Sequence, residues 1–209
     1  MKKQSMVIII AIVIIGVGVV IYFITQGTKT ENANQNNNQA QLVTNSVSNT
    51  SDAATQENTY IGDDFTLLKP ADWMQSQISG TLVSFHNSNE VQPEGSAARK
   101  INFKSYMAVS FDMTNERLLP EINDFLIAQI KASFPSAELT ASTDETVDGQ
   151  PAKFNVFTMS QQEVDIIVLL AVIYKGDKYY TISGNSTTDK WTEYKDMFYQ
   201  TARSFIFNN

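Results

Sequence analysis

Hydrophobic and polar positions divide the chain into three stretches of different character. Residues 6–25, MVIIIAIVIIGVGVVIYFIT, carry no charge. At 1.5 Å per residue, about 20 such residues span a hydrocarbon core of ~30 Å, so the run predicts a transmembrane helix. Lys2 and Lys3 precede it, and Tyr22 and Phe23 stand near its far end. The positive-inside rule then puts the N-terminus in the cytoplasm and the rest of the chain outside the cell membrane. A cleaved signal peptide is the main rival, but it has a shorter apolar region and a small-residue cleavage site, which Thr25–Lys29 does not supply. A lipoprotein anchor needs a cysteine, and the chain has none.

Residues 26–58 are rich in Asn, Gln, Ser and Thr, with Glu31–Gln41 the most polar part. Such a segment buries too little apolar surface to offset the entropy of ordering it. It reads as a flexible tether with a typical end-to-end distance of about 30 Å.

From residue 59 to 209 the pattern becomes globular. Phe65–Leu68 predicts a short strand. Residues 81–86 predict another, with Leu82, Ser84 and His86 on one face and Val83 and Phe85 on the other. Residues 87–104 are mostly polar and read as a long loop, and 106–113 as a strand. Ile122, Phe125, Leu126 and Ile130 fall at helical spacing, between Pro120, suited to a first turn, and Pro135, suited to a stop. Strands follow at about 138–147, 151–159 and 164–175, with Asp148-Gly149 as a hairpin signal between the first two. Ile166–Tyr174 is nine consecutive apolar residues, which predicts a strand buried on both faces, or on one face with an unusually apolar back. Gly176-Asp177 turns the chain into a strand at 179–183. A last helix is predicted over about 188–205, with Trp191, Tyr194, Phe198, Ala202 and Phe205 on one face and Thr187 or Thr188 as cap. Strands interrupted by two separated helices make an α+β domain, an antiparallel sheet flanked by helices.

Composition narrows the chemistry. Fifteen Lys and Arg against 22 Asp and Glu give a net charge of −7, which argues against nucleic acid as a partner. Without cysteine, thiolate sites and disulfides are excluded, and with one histidine, so is a poly-imidazole metal centre.

Three stretches resemble the PsbP-like superfamily, which includes DcrB-type envelope proteins and the Ran-binding Mog proteins. Phe65–Leu68 followed by Pro70-Ala71-Asp72-Trp73 is similar to its opening strand and Pro-x-x-Trp. Gly149-Gln150-Pro151-Ala152 is similar to its Gly-x-Pro-Ala hairpin. Tyr179–Gly184, with the Trp191 helix ending in Ser204-Phe205, is similar to its closing strand and helix. The resemblance covers about 60–209. It implies an antiparallel sheet with flanking helices and mostly non-enzymatic accessory or binding roles, and it brings no catalytic residues.

The residues offer few sites. His86 with Ser84, Ser110 and Asp112 is the only basis for a Ser-His-Asp hydrolase, and no G-x-S-x-G elbow accompanies it. Asp144, Glu145 and Asp148 around the Gly149 hairpin are the only basis for weak Ca²⁺ binding; the D-x-D-x-D-G loop is absent. Trp73, Trp191 and Tyr194 suit either a ligand groove or the core, and helical spacing favours the core for the last two. Arg99, Lys100 and Lys104 form a basic cluster in an acidic domain, on the loop best placed to carry binding. The expectation is therefore a membrane-anchored, extracytoplasmic, non-catalytic accessory protein of a bacterial envelope, without cofactor or metal. It meets the membrane through 6–25 and a protein or small-molecule partner at the cell surface. The alternatives are a ligand-binding sensor or transport accessory, and a hydrolase using His86.

Overall fold

The computed structural model describes residues 58–208. The segment expected to span the membrane, 6–25, and all but the last residue of the expected tether lie outside the described residues. Among the described residues, no helix is long and apolar enough to cross a membrane.

The elements run β1 (Thr59–Ile61), β2 (Phe65–Leu68), β3 (Met74–Ser76), β4 (Val83–His86), α1 (Ala97–Lys100), β5 (Tyr106–Met113) and α2 (Leu119–Ser133). They continue with β6 (Glu138–Val147), β7 (Gln150–Gln161), β8 (Val164–Lys175), β9 (Lys178–Thr187), α3 (Trp191–Arg203) and β10 (Ile206–Phe207). A seven-stranded sheet has the order β3-β4-β5-β9-β8-β7-β6, and a three-stranded sheet has the order β1-β2-β10. Every strand pairing is antiparallel. The expected α+β architecture is present.

Two cores lie on opposite faces of the large sheet. One packs α3 and the small sheet against Val109, Leu169, Ala171 and Ile182. The other packs α2 against Val168, Leu170 and Val172. Alternate residues of β8 enter different cores, so the strand has no solvent face. That is why its sequence is a continuous apolar run.

Local chemistry explains the turns and helix ends. Asp148 and Gly149 both have positive φ, 48° and 71°, which suits the tight two-residue hairpin joining β6 to β7. In α2, Ile122, Leu126 and Ile130 are buried, and the Glu121 carboxylate accepts the Leu118 N–H at 2.8 Å.

α3 is shorter than the spacing predicts. Ladder pairing of Thr187 with Ile166 keeps β9 extended, so Thr187 and Thr188 do not cap the helix with their side chains. At the other end, Ser204 Oγ bonds the Thr201 carbonyl at 2.7 Å and accepts the Leu68 N–H at 2.8 Å. Those bonds lead Phe205 out of the helix and Ile206–Phe207 onto β2. β1, β3 and β10 have no counterpart in the predicted elements. The loop expected at 87–104 is not open chain, because it contains α1 and buries Gln92, Ala98 and Phe103.

Candidate functional site

Antiparallel register brings the end of β4, the start of β5, the end of β9, the start of β8 and the end of β7 to one edge of the large sheet. His86 faces Tyr106, Tyr106 faces Asn185, Thr187 faces Ile166 and Gln161 faces Val164. Residues 87–105 connect β4 to β5 at this edge and are fastened along their length. The Glu90 carboxylate is buried and accepts from both the N–H and the hydroxyl of Ser105, the latter at 2.8 Å. Lys104 Nζ donates to the Glu90 carbonyl. The Arg99 guanidinium donates to the Gln92 carbonyl at 3.0 Å, and Gln92 Nε2 to the Phe103 carbonyl at 3.3 Å. Arg99 and Lys104 line a depression of about 290 Å³ beside Glu90 and Asn102, while Lys100 is exposed and does not line it. Two of the three predicted basic residues therefore share a surface, and each also holds its own loop.

A larger cleft, of about 400 Å³, lies against Gln92 between the 92–98 arm, the β7–β8 turn at 163–165 and the chain leaving β9 at 187–189. Gln92 Oε1 and Thr187 Oγ1 are buried without a hydrogen-bond partner. Ser186 Oγ and Gln161 Oε1 share that state at the same edge. Tyr106 is fully buried beside Asn185, and burial pushes its hydroxyl pKa far up. Elsewhere among the described residues, buried side-chain polar groups are paired. Asn155 Nδ2 donates to Asn123 Oδ1 at 2.7 Å, Ser110 and Thr181 hydroxyls meet at 2.7 Å, and Ser84 bonds Ser76. Native structures leave few buried polar groups unpaired, so their concentration at one edge sets it apart from the rest of the sheet.

The other sequence candidates are used structurally. His86 is half-buried; burial, and then the charge of Lys104, hold its pKa below the usual imidazole range. Ser110 and Asp112 lie about 13 and 20 Å along β5 from Tyr106, the partner of His86. The Ser110 hydroxyl is bonded to Thr181, and Asp112 Oδ2 to the Tyr179 hydroxyl at 3.5 Å. Ser84 Oγ donates to the Ser76 carbonyl. No hydrolytic triad forms from these residues. Asp144 pairs with Lys153 and Glu145 with Arg203, both at 2.7 Å, and Asp148 accepts the Phe207 N–H at 3.0 Å. Among the described residues, no group of three His, Cys, Asp or Glu is arranged to hold a metal ion. Trp73 is buried edge-on against Tyr194 at 5.5 Å, and Trp191 leans on Phe198 at 6.0 Å, so these rings build core.

The family model for PsbP matches residues 55–207. The chain belongs to the PsbP family. The solution structure of PsbP from the cyanobacterium Synechocystis is similar to this PsbP-family chain with a TM-score of 0.54 at 18% identity, covering 72% of this chain and 91% of that one. LpqN, involved in cell envelope biogenesis of Mycobacterium tuberculosis, is similar with a TM-score of 0.57 at 12% identity, covering 69% and 83%. No curated protein matches this PsbP-family sequence. At these identities the two structures establish the shared fold.

Within this PsbP-family domain, sequence reasoning found the loop but missed Gln92 and Thr187. A glutamine in a polar loop and a threonine at a strand end carry no pattern of their own. Only the register and the loop's course bring them to one cleft.

Proposed function

We propose that this protein is a membrane-anchored, non-catalytic accessory protein of the bacterial cell envelope, whose outer domain binds its partner or ligand at the edge of the sheet crossed by residues 87–105. The observation that carries this reading is the set of unpartnered buried oxygens beside the 400 Å³ cleft, Gln92 Oε1 and Thr187 Oγ1. Family membership favours an accessory role, and LpqN is a relative in fold that acts in the envelope. The apolar run at 6–25 behind Lys2 and Lys3 supports an uncleaved anchor with the domain outside. Arg99 and Lys104, on the other side of the same loop, offer a basic rim to an anionic group on the partner, and the exposed Lys100 follows Arg99 in the chain.

Two experiments test it. Protease added to intact spheroplasts should remove the domain and leave a small membrane-bound stub; a protected domain would refute the topology. Ala97→Trp fills the cleft from α1 and should abolish complementation of a deletion strain while leaving the melting temperature within a few degrees of wild type. Full complementation by that variant would refute the cleft as the site.

A further inference from the structure

We propose that the anionic group met by the basic rim is the phosphate of membrane phospholipid, so that the domain docks on the bilayer that anchors it; this rests on the reading of residues 6–25 as an anchor. Arg99 and Lys104 line one depression of about 290 Å³, and among the described residues neither enters an ion pair. Backbone oxygens hold both cations, Arg99 on the Gln92 carbonyl and Lys104 on the Glu90 carbonyl. Glu90 and Gln92 are buried on either side of the exposed Val91, the alternation of extended chain, so the two carbonyls point the same way about 7 Å apart. A carbonyl positions a cation without neutralising it. The carboxylate in the depression, Glu90, is 4% exposed and accepts both its bonds from Ser105, and the loop's other carboxylate, Glu94, does not line it. The exposed charge there is positive, in a chain whose net charge is −7. The Arg99 guanidinium and the Lys104 ammonium keep further N–H donors for phosphate oxygens.

Two further observations select a lipid surface over a dissolved phosphate. Val91 lines the same depression and is 69% exposed, between the two carbonyls that hold the cations. A dissolved anion makes no use of that side chain. At a bilayer it enters the headgroup layer while the cations meet the phosphates, and the exposed Lys100 adds a third charge beside Arg99. The chain also enters the domain at this end. Lys69 N–H donates to the Asn58 carbonyl at 2.7 Å. Four residues on, Trp73 packs on Tyr194, whose hydroxyl accepts from the Asn87 amide at 3.0 Å, where the 87–105 connection begins. Residues 26–57 thus lead from the apolar run to the end that carries the depression. Read as a tether, they keep the domain within about 30 Å of the bilayer, at a roughly millimolar effective concentration where a weak contact is populated.

The chain has no cysteine, so single labels test the docking. Val91→Cys puts a fluorophore in the depression. Asp177→Cys puts one on the exposed β8–β9 turn, about 23 Å along β9 from Asn185, the partner of Tyr106. The full chain is placed in nanodiscs containing a lipid with a quencher on its headgroup, made of phosphatidylcholine alone or with added phosphatidylglycerol. With phosphatidylglycerol, the label at position 91 is expected to be quenched at least twofold more than the label at 177. In phosphatidylcholine, or at about 0.5 M salt, the two should be quenched alike. Arg99→Gln/Lys100→Gln/Lys104→Gln should remove the difference; should that variant fail to fold, salt titration of the otherwise unchanged chain carries the test. Equal quenching in phosphatidylglycerol, or a difference that survives salt or the triple variant, overturns the docking and leaves the anchor standing. Equal quenching together with failure of the triple variant to complement a deletion strain overturns it in favour of a protein partner at the rim. A chain that does not insert into the nanodiscs removes the anchor, and the docking falls with it.

Discussion

The ring of Phe198 lies directly on Gly184. A Cβ at position 184 would stand 2.7 Å from both Cγ and Cδ1 of that ring, closer than packed atoms come. Phe198 is fully buried, and its ring also meets Trp73, Trp191 and Tyr194 at centroid distances of 6.0, 6.0 and 6.1 Å. The missing side chain on β9 is thus what lets α3 approach the sheet. Gly184→Ala should destabilise the protein by about 1–3 kcal/mol through overpacking, and Phe198→Ala by about 3–5 kcal/mol through the cavity it leaves. Urea unfolding measures both. An unchanged midpoint for Gly184→Ala would show that α3 shifts outward without cost.

The two tryptophans differ in burial, and their truncations should differ accordingly. Trp73 is 8% exposed and wedged against Tyr194 and Phe198, whereas Trp191 is only partly buried at the start of α3. Trp73→Ala is expected to cost about 3–5 kcal/mol, the usual figure for a buried aromatic. Trp191→Ala should cost clearly less, because part of its surface already faces water. Equal losses in urea unfolding would contradict this assignment of the rings.

The legible parts of the fold are those where one physical demand dominates a run of residues. β8 is buried on both faces, so its apolar run pointed to a strand but left open whether its second face was covered. Asp148-Gly149 needs two positive φ angles, and the dipeptide says so. The turn between β7 and β8 needs them too, but Gln162 and Glu163 adopt 51° and 64° without the usual residues, so nothing in the sequence marked it. β1, β3 and β10 are two or three residues long, too short to display a period. At the candidate site, the charges of Arg99 and Lys104 were visible, but their donation to the carbonyls of Gln92 and Glu90 depends on how the loop folds back. The unpartnered oxygens of Gln92 and Thr187 are likewise a property of packing, not of residue type.

A buried amide chain ties α2 to the sheet. Ser142 Oγ donates to Asn155 Oδ1 at 2.8 Å, and Asn155 Nδ2 donates to Asn123 Oδ1 at 2.7 Å. Asn155 is fully buried and Asn123 nearly so. Asn123→Ala would leave the Asn155 amide without its acceptor, at a cost of about 1–3 kcal/mol. The double variant Asn123→Ala/Asn155→Leu removes the stranded group and should recover part of that loss. A double variant less stable than the sum of the two single changes would mean that the pair does not interact as described.

His86 should make stability depend on pH just below neutrality. Burial first, and then the positive charge of Lys104, lower its pKa in the folded protein below the unfolded value of 6.5. As pH falls through 6.5, the unfolded chain takes up a proton that the native imidazole still refuses. The unfolded state then binds more protons, so stability falls with falling pH. The fall stops once pH passes the lowered native pKa, below which both states are protonated. The loss therefore begins just under pH 6.5 and ends at the lowered native pKa. Urea unfolding of wild type and His86→Gln at pH 7.5 and 5.5 isolates the effect. Wild type should lose more stability between the two than the variant, which has no imidazole to charge. Identical losses would show that His86 binds its proton equally well in both states, and would remove Lys104 as a significant neighbour of the ring.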